Sequence, residues 1–191
     1  MRVTILITVL CLALFGQAHA QRYLPGMRGI QVTAGVVDGF KLGKQDGQAF
    51  CFGAAMTTYT KNGNRWVFGG EYLQKNHQYG NIYIPVSQFT AEAGHYFKFI
   101  SDKSKTFFLS LGVSLLGGYE IVNWGEGLLK DGTTIQNEDN FIYGGAITLE
   151  SETYLTDRIV LIIATRERFL PSSSVSDFHF QLNMGVKFII N

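Results

Sequence analysis

Two pairs of charged residues, each spaced two positions apart, are the first candidates for chemistry in this sequence: Glu150 with Glu152, and Arg166 with Arg168. Two carboxylates on one face can divide the roles of general acid and general base. Two arginines on a neighbouring face instead clamp carboxylates as ion pairs, because Arg keeps its charge throughout the physiological range. The segments carrying the pairs are joined by the short turn Thr156-Asp157. A structural role is therefore a stronger reading than catalysis, and it takes two forms left open side by side: ion pairs in an interior, or charges near strand ends at a water interface. Elsewhere the chemistry is sparse. His77, His95 and His179 are widely separated, there is no His-Glu-x-x-His and no paired cysteine, and no metal site is expected. The sequence contains no Gly-x-Ser-x-Gly elbow and no phosphate loop. Asp131-Gly132 and Asn137-Glu138-Asp139-Asn140 offer oxygen ligands for a hard cation such as Ca²⁺, but read better as a solvated acidic loop. These residues predict no enzyme, no catalytic residue and no cofactor.

The charges must be positioned by extended segments. From Asp177 to Asn191, Phe178, Phe180, Leu182, Met184, Val186, Phe188 and Ile190 alternate with polar residues, and Ile189 alone is out of place. A period of two is a β-strand, since successive side chains point to opposite faces. Seven more such segments are predicted: 28–40, 48–60, 64–76, 82–100, 105–118, 140–155 and 158–169. The segment 82–100 is expected to bend, because its apolar face switches near Pro85 and again near Gly94. Glu71 and Lys187 fall on the polar faces of their strands.

Residues 1–20 stand apart. Arg2 precedes an apolar run from Val3 to Gly16, and Ala18-His19-Ala20 supplies the small residues that a signal peptidase reads, so cleavage before Gln21 is expected. The run is too short for a spanning helix, and Cys11 inside it does not resemble a lipidation site. Cleavage removes one of 16 basic residues and leaves 15 against 15 acidic ones. Nothing in that balance suggests nucleic-acid binding. Only Cys51 remains, so no intrachain disulfide forms. The chain has 22 Gly, 15 Phe and 9 Tyr but only 16% charged residues, which points to an exported all-β protein.

Lys61-Asn62-Gly63, Ser101 to Ser104 and Thr156-Asp157 are short connections. They alternate with Lys41 to Gly47, His77 to Asn81, Tyr119 to Asp139 and Leu170 to Ser176, of which His77 to Asn81 fits the longer set poorly. Short turns alternating with longer loops around eight long antiparallel strands describe an up-and-down β-barrel of the outer-membrane type. The organisation expected is a signal peptide at 1–20, an N-terminal arm at 21–27 and a barrel at 28–191. A soluble all-β barrel or sandwich is the alternative, though its strands would be shorter and its outer face richer in Lys and Glu. Asn183, Gly185, Phe188 and Ile190 have the spacing of the C-terminal insertion signal of bacterial outer-membrane barrels, although the chain ends on Asn191 rather than an aromatic.

Several stretches resemble the TraO family of conjugative-transposon proteins of Bacteroides-type bacteria. They are Arg22-Tyr23-Leu24-Pro25-Gly26-Met27, Gly70-Glu71-Tyr72-Leu73-Gln74-Lys75-Asn76, Gln88-Phe89-Thr90-Ala91-Glu92, and Gly118-Tyr119-Glu120 with Asn123-Trp124-Gly125. Phe141-Ile142-Tyr143-Gly144-Gly145 and Glu152-Thr153-Tyr154-Leu155-Thr156-Asp157-Arg158 complete the set, in the family's order. The resemblance implies a cell-envelope component of the machinery that moves a mobile element's DNA, with other conjugative transfer proteins as partners, and carries no catalytic residues. Combined with the strand pattern, it predicts a non-enzymatic barrel in outer-membrane lipid that anchors or docks other transfer proteins. A soluble periplasmic β-domain serving as an assembly subunit is the alternative. The expected contact regions are 21–27 and 119–139, with Trp124 and Tyr119 as the candidate side chains.

Overall fold

The computed structural model describes residues 24–39, 48–79, 82–126, 134, 139–173 and 176–190. The segment expected to be removed on export, 1–20, lies outside the described residues, as do Asp131-Gly132 and Asn137-Glu138. Eight antiparallel strands form a closed barrel: β1 (Arg28–Val37), β2 (Ala49–Tyr59), β3 (Arg65–Tyr79), β4 (Ile82–Ser101), β5 (Phe107–Val122), β6 (Asn140–Tyr154), β7 (Ile159–Phe169) and β8 (Phe178–Ile189). Each strand pairs with its neighbours in sequence, and β1 closes the barrel on β8, from Gly29 opposite Ile189 to Val37 opposite Gln181. Closure gives every strand two hydrogen-bonded neighbours and removes the free edges that an open sheet exposes.

Both described chain ends lie at the short-turn end, where Ile190 N–H donates to Arg28 O at 3.0 Å and Ile189 N–H to Arg158 O at 2.8 Å. Lys61–Gly63 makes the first of these turns, with Asn62 and Gly63 at φ of 65° and 78°, the left-handed region those residue types tolerate best.

Three local features differ from the sequence reading. The β3–β4 ladder runs through Pro85 and Gly94 and the β4–β5 ladder through Gly94 in unbroken register, and the irregularity lies between Lys98 and Ile100. There the extra residue Phe99 leaves both Phe99 and Ile100 facing out, which is what shifts the apolar parity. The β3–β4 hairpin gains its length from its strands. They pair as far as Tyr79 opposite Ile82, whereas β2 leaves β3 at Lys75 and β5 leaves β4 at Val86. Finally, Ile189 is a core residue. It is buried with Met27, Tyr59, Phe108, Tyr154 and Val160 in an apolar cluster that caps the interior at the short-turn end. The end of the N-terminal arm is thus part of the barrel: Gly26 N–H donates to Tyr59 O and Tyr59 N–H to Met27 O, each at 2.8 Å.

Candidate functional site

Alternation along eight strands makes two surfaces, and the charged residues take the inner one. Nearest the apolar cap, Arg65 of β3 faces Glu150 and Glu152 of β6 and Lys187 of β8. One Arg65 Nη donates to Glu150 Oε1 at 2.5 Å, and the other lies 3.2 Å from Glu152 and donates to Ser110 Oγ at 3.0 Å. Lys187 pairs with Glu152 and lies 3.7 Å from Glu150, and the Tyr59 hydroxyl donates to Glu152 at 3.0 Å. The Arg65 guanidinium also stacks 4.8 Å from the centre of the Tyr96 ring. A second quartet sits farther along the barrel. Arg166 pairs with Glu92 and, at 3.3 Å, with Glu71, and its Nε donates to Thr148 Oγ1 at 3.0 Å. Arg168 donates to Glu71 at 3.0 Å, Gln181 to Glu71 at 2.8 Å and Ser114 to Glu92 at 2.6 Å. Each quartet sets two cations against two carboxylates, so each is neutral as a unit. Burying such groups is tolerable only when they are paired and hydrogen-bonded in this way. An interior space of about 30 Å³ remains among Gln31, Glu71, Glu92, Tyr96, Arg166 and Asn183.

The pairing expected between the two sequence pairs is not the one adopted. The β6–β7 register sets Thr148 opposite Arg166 and Ala146 opposite Arg168, with Ala164 and Ile162 opposite the two glutamates. The glutamates and arginines consequently stand at different heights and find their partners across the lumen. The sequence signal for two of those partners was present, since Glu71 and Lys187 lie at polar positions of alternating strands. Arg65 was hidden by its place at a strand start, and Glu92 by the apolar-face switches read near Pro85 and Gly94, on either side of it, where the ladder is in fact continuous.

Toward the other end, the Glu120 carboxylate accepts from Gln88 at 2.8 Å and Ser173 at 2.7 Å. Just past β1, Asp38 accepts from Lys75 at 2.6 Å, lies 3.0 Å from His179 Nδ1 and accepts from Phe180 N–H at 3.0 Å. Partial burial acts to raise the Asp38 pKa, but the hydrogen bonds and charges of His179 and Lys75 outweigh it and hold the carboxyl below its usual range. Cys51 is buried and its thiol donates to Asn183 Oδ1 at 3.1 Å. Among the described residues, no group of three or more His, Cys, Asp or Glu side chains is arranged to hold a metal ion.

The outer surface is apolar. Along the described strands only Arg28 and Glu167, at opposite ends, place a Lys, Arg, Asp or Glu at an outward position. Phe52, Tyr72, Phe89, Tyr119 and Phe141 occupy one register row across β2 to β6. Directly below this row, Ala54, Gly70, Ala91 and Gly117 form the floor of an open groove of about 800 Å³. Tyr119 thus belongs to an outward aromatic row. Trp124 sits beyond β5 in a short 3₁₀ turn (Asn123–Gly125), at φ 55° and 59% exposed. Of the four residues with insertion-signal spacing, Phe188 and Ile190 face outward, while Asn183 and Gly185 face the interior. Gly185 also has a local cause, because a Cβ there would lie 2.3 Å from Val32 O.

A closed eight-stranded barrel with its charges enclosed and its outer wall apolar is an outer-membrane-type β-barrel. The chain belongs to the TraO family, described as conjugative transposon protein TraO, whose model matches residues 24–190. Among solved structures it is similar to Neisserial surface protein A, with a TM-score of 0.54 at 16% identity over 85% of this chain and 97% of that one. It is also similar to Ail of Yersinia pestis, with a TM-score of 0.48 at 14% identity over 87% and 99% of the two chains. The N-terminal β-barrel domain of Pseudomonas aeruginosa OprF has a TM-score of 0.46 at 10% identity, over 86% and 99%. No curated protein matches the chain.

Proposed function

We propose that this chain is a non-enzymatic outer-membrane component of a conjugative DNA-transfer apparatus, a barrel spanning the lipid that anchors or docks other transfer proteins. The observation that carries the membrane part is the outer wall, on which Arg28 and Glu167 are the only Lys, Arg, Asp or Glu at outward positions of the described strands. A lipid-facing Arg at the midplane would cost about 2–4 kcal/mol, so sorting of this kind fits lipid contact and has no purpose in water. Strands of 10 to 20 residues meet the roughly 9–11 needed to cross. In this reading residues 1–20 direct export and are removed. Tyr119 anchors the barrel in the headgroup region, and exposed Trp124 offers a contact beyond it.

Two measurements test the proposal. Fractionation followed by an unheated gel should place the protein in the outer membrane and show anomalous migration until it is boiled. Extraction by carbonate with heat-insensitive migration would favour a soluble periplasmic subunit. Deleting the gene should sharply reduce transfer frequency of the element, and unchanged transfer would refute the role in conjugation.

A further inference from the structure

We propose that the short-turn end of the barrel is a seat for anionic phospholipid headgroups, which fixes which way round the protein sits in its membrane. The inference rests on the reading of the barrel as membrane-spanning. Composition gives no hint of it, since acids and bases balance after residue 20 and each interior quartet is neutral. The strands sort the remaining charges by end. Among the described residues, Arg28, Lys61, Lys103, Lys105 and Arg158 are exposed at the short-turn end, against Asp102 and Asp157, while Lys98 is half-buried and turned inward over the Phe108 ring. Asp102 is engaged by its own turn, where one carboxylate oxygen accepts from Thr106 N–H at 2.7 Å and Phe107 N–H at 2.9 Å. Among the described residues of the opposite end the signs reverse: Asp38, Glu126, Asp139, Glu167 and Asp177 are exposed or half-buried and Glu120 is buried, against Lys75. A neutral chain is therefore a polarised barrel.

The arrangement of the cations identifies what they meet. One or more occurs at each of the three short turns and another at the start of β1, so they encircle the barrel rather than cluster on one side. A ring lies against headgroups all round, whereas a protein docking on one side would engage only part of it. Long Lys and Arg stems can lie along the apolar wall while their heads reach the phosphate level. The attraction of such a basic ring to an anionic leaflet adds up over its members and fades within a Debye length of about 8–10 Å. The acidic opposite end is repelled from the same surface, so the two ends bias orientation together.

The protein carries its own probes, because it has two tryptophans, one toward each end. Trp66 opens β3 beside the short-turn end and faces outward, 47% exposed, while Trp124 lies at the far end. The mature chain with Trp124→Phe, folded into phosphatidylcholine vesicles, reports through Trp66. A small fraction of brominated phosphatidylglycerol should quench Trp66 about two-fold or more above an equal fraction of brominated phosphatidylcholine, and added salt should erase the difference. The triple variant Lys61→Gln, Lys103→Gln and Arg158→Gln should at least halve the excess of the ratio over one, whereas Glu126→Gln with Asp177→Asn should leave it unchanged. With Trp66→Phe, Trp124 should show no preference for the anionic lipid.

A ratio of one in the parent at low salt, or a preference undiminished in the triple variant, overturns the proposal. A ratio of one together with salt-sensitive binding of polyglutamate assigns the ring to an acidic protein instead. Failure of the membrane reading is distinguishable from these, since neither brominated lipid would then quench Trp66 and the unheated gel would show no folded band.

Discussion

Arg65 illustrates how one side chain organises the interior. It is fully buried, and its guanidinium joins Glu150, Glu152 and Ser110 while lying over the Tyr96 ring. Replacing it with Met keeps much of the volume but leaves three ionisable groups where four were balanced, with two carboxylates and only Lys187 as a cation. Removing one partner of a buried ion pair costs about 3–5 kcal/mol, far more than an exposed pair is worth. Arg65→Met should lower folding stability by about that much in urea titrations of the detergent-folded barrel, and adding Glu150→Gln should recover part of the loss. If the single variant is as stable as the parent, the quartet does not hold the barrel together. The sequence marked Glu150 and Glu152 correctly as polar-face residues of a strand. It could not assign their partners, because a partner across a lumen depends on strand tilt and register, which no local pattern encodes.

At the scale of elements, alternation revealed the eight strands, and the failures of alternation had separate physical causes. The extra residue at Phe99 shifts parity in β4 because a bulge opposes two residues to one. Ile189 breaks the pattern of β8 because the interior ends in an apolar cap rather than in water. Trp124 is singled out in the sequence because it stands in the longest connection, and it lies in the 3₁₀ turn that directly follows β5. The barrel's glycines divide in the same physical way. A Cβ on Gly144 would lie 1.9 Å from Phe169 O, and one on Gly118 would lie 2.0 Å from Phe89 O. The nearest atoms to a Cβ on Gly70 and on Gly117 are 3.6 and 4.0 Å away. Gly144→Ala and Gly118→Ala should therefore strain the ladder and destabilise by about 1–3 kcal/mol. Gly70→Ala and Gly117→Ala should be neutral or gain about 0.4–1 kcal/mol, since they restrict the unfolded chain without crowding the native one. Parallel urea titrations of the four variants measure the split, and equal losses at all four would remove crowding as its cause.

For the whole molecule, the central question is whether the barrel is a conduit. Eight strands enclose a width that side chains fill, and here they do so in successive layers. The cap of Met27, Tyr59, Phe108, Tyr154, Val160 and Ile189 closes the short-turn end, and the two charged quartets follow it. Val37, Ala49, Cys51 and Leu73 form a second buried cluster, and Leu116, Ile142, Ala146 and Leu170 a third. An ion would have to part an apolar layer and two ion-paired ones, losing its hydration with no compensating ligand in the cap. The purified protein in planar bilayers should therefore show no discrete conductance steps. The layers act in series, so opening the second quartet alone, with Arg166→Ala and Glu92→Ala, should still give a silent barrel. Adding Tyr59→Ala and Phe108→Ala still leaves the quartet of Arg65, Glu150, Glu152 and Lys187 closed, so only opening that layer as well, with Arg65→Ala and Glu150→Ala, should produce small steps, provided the gel shows that the variant has folded. Discrete steps in the parent would mean that the layers open thermally and that the closed interior is only one of its states. A silent parent carries a consequence for the apparatus. Strand transport through this subunit would have to run along a path assembled from many copies or from its partners, since a single barrel lumen has no room for a nucleotide chain.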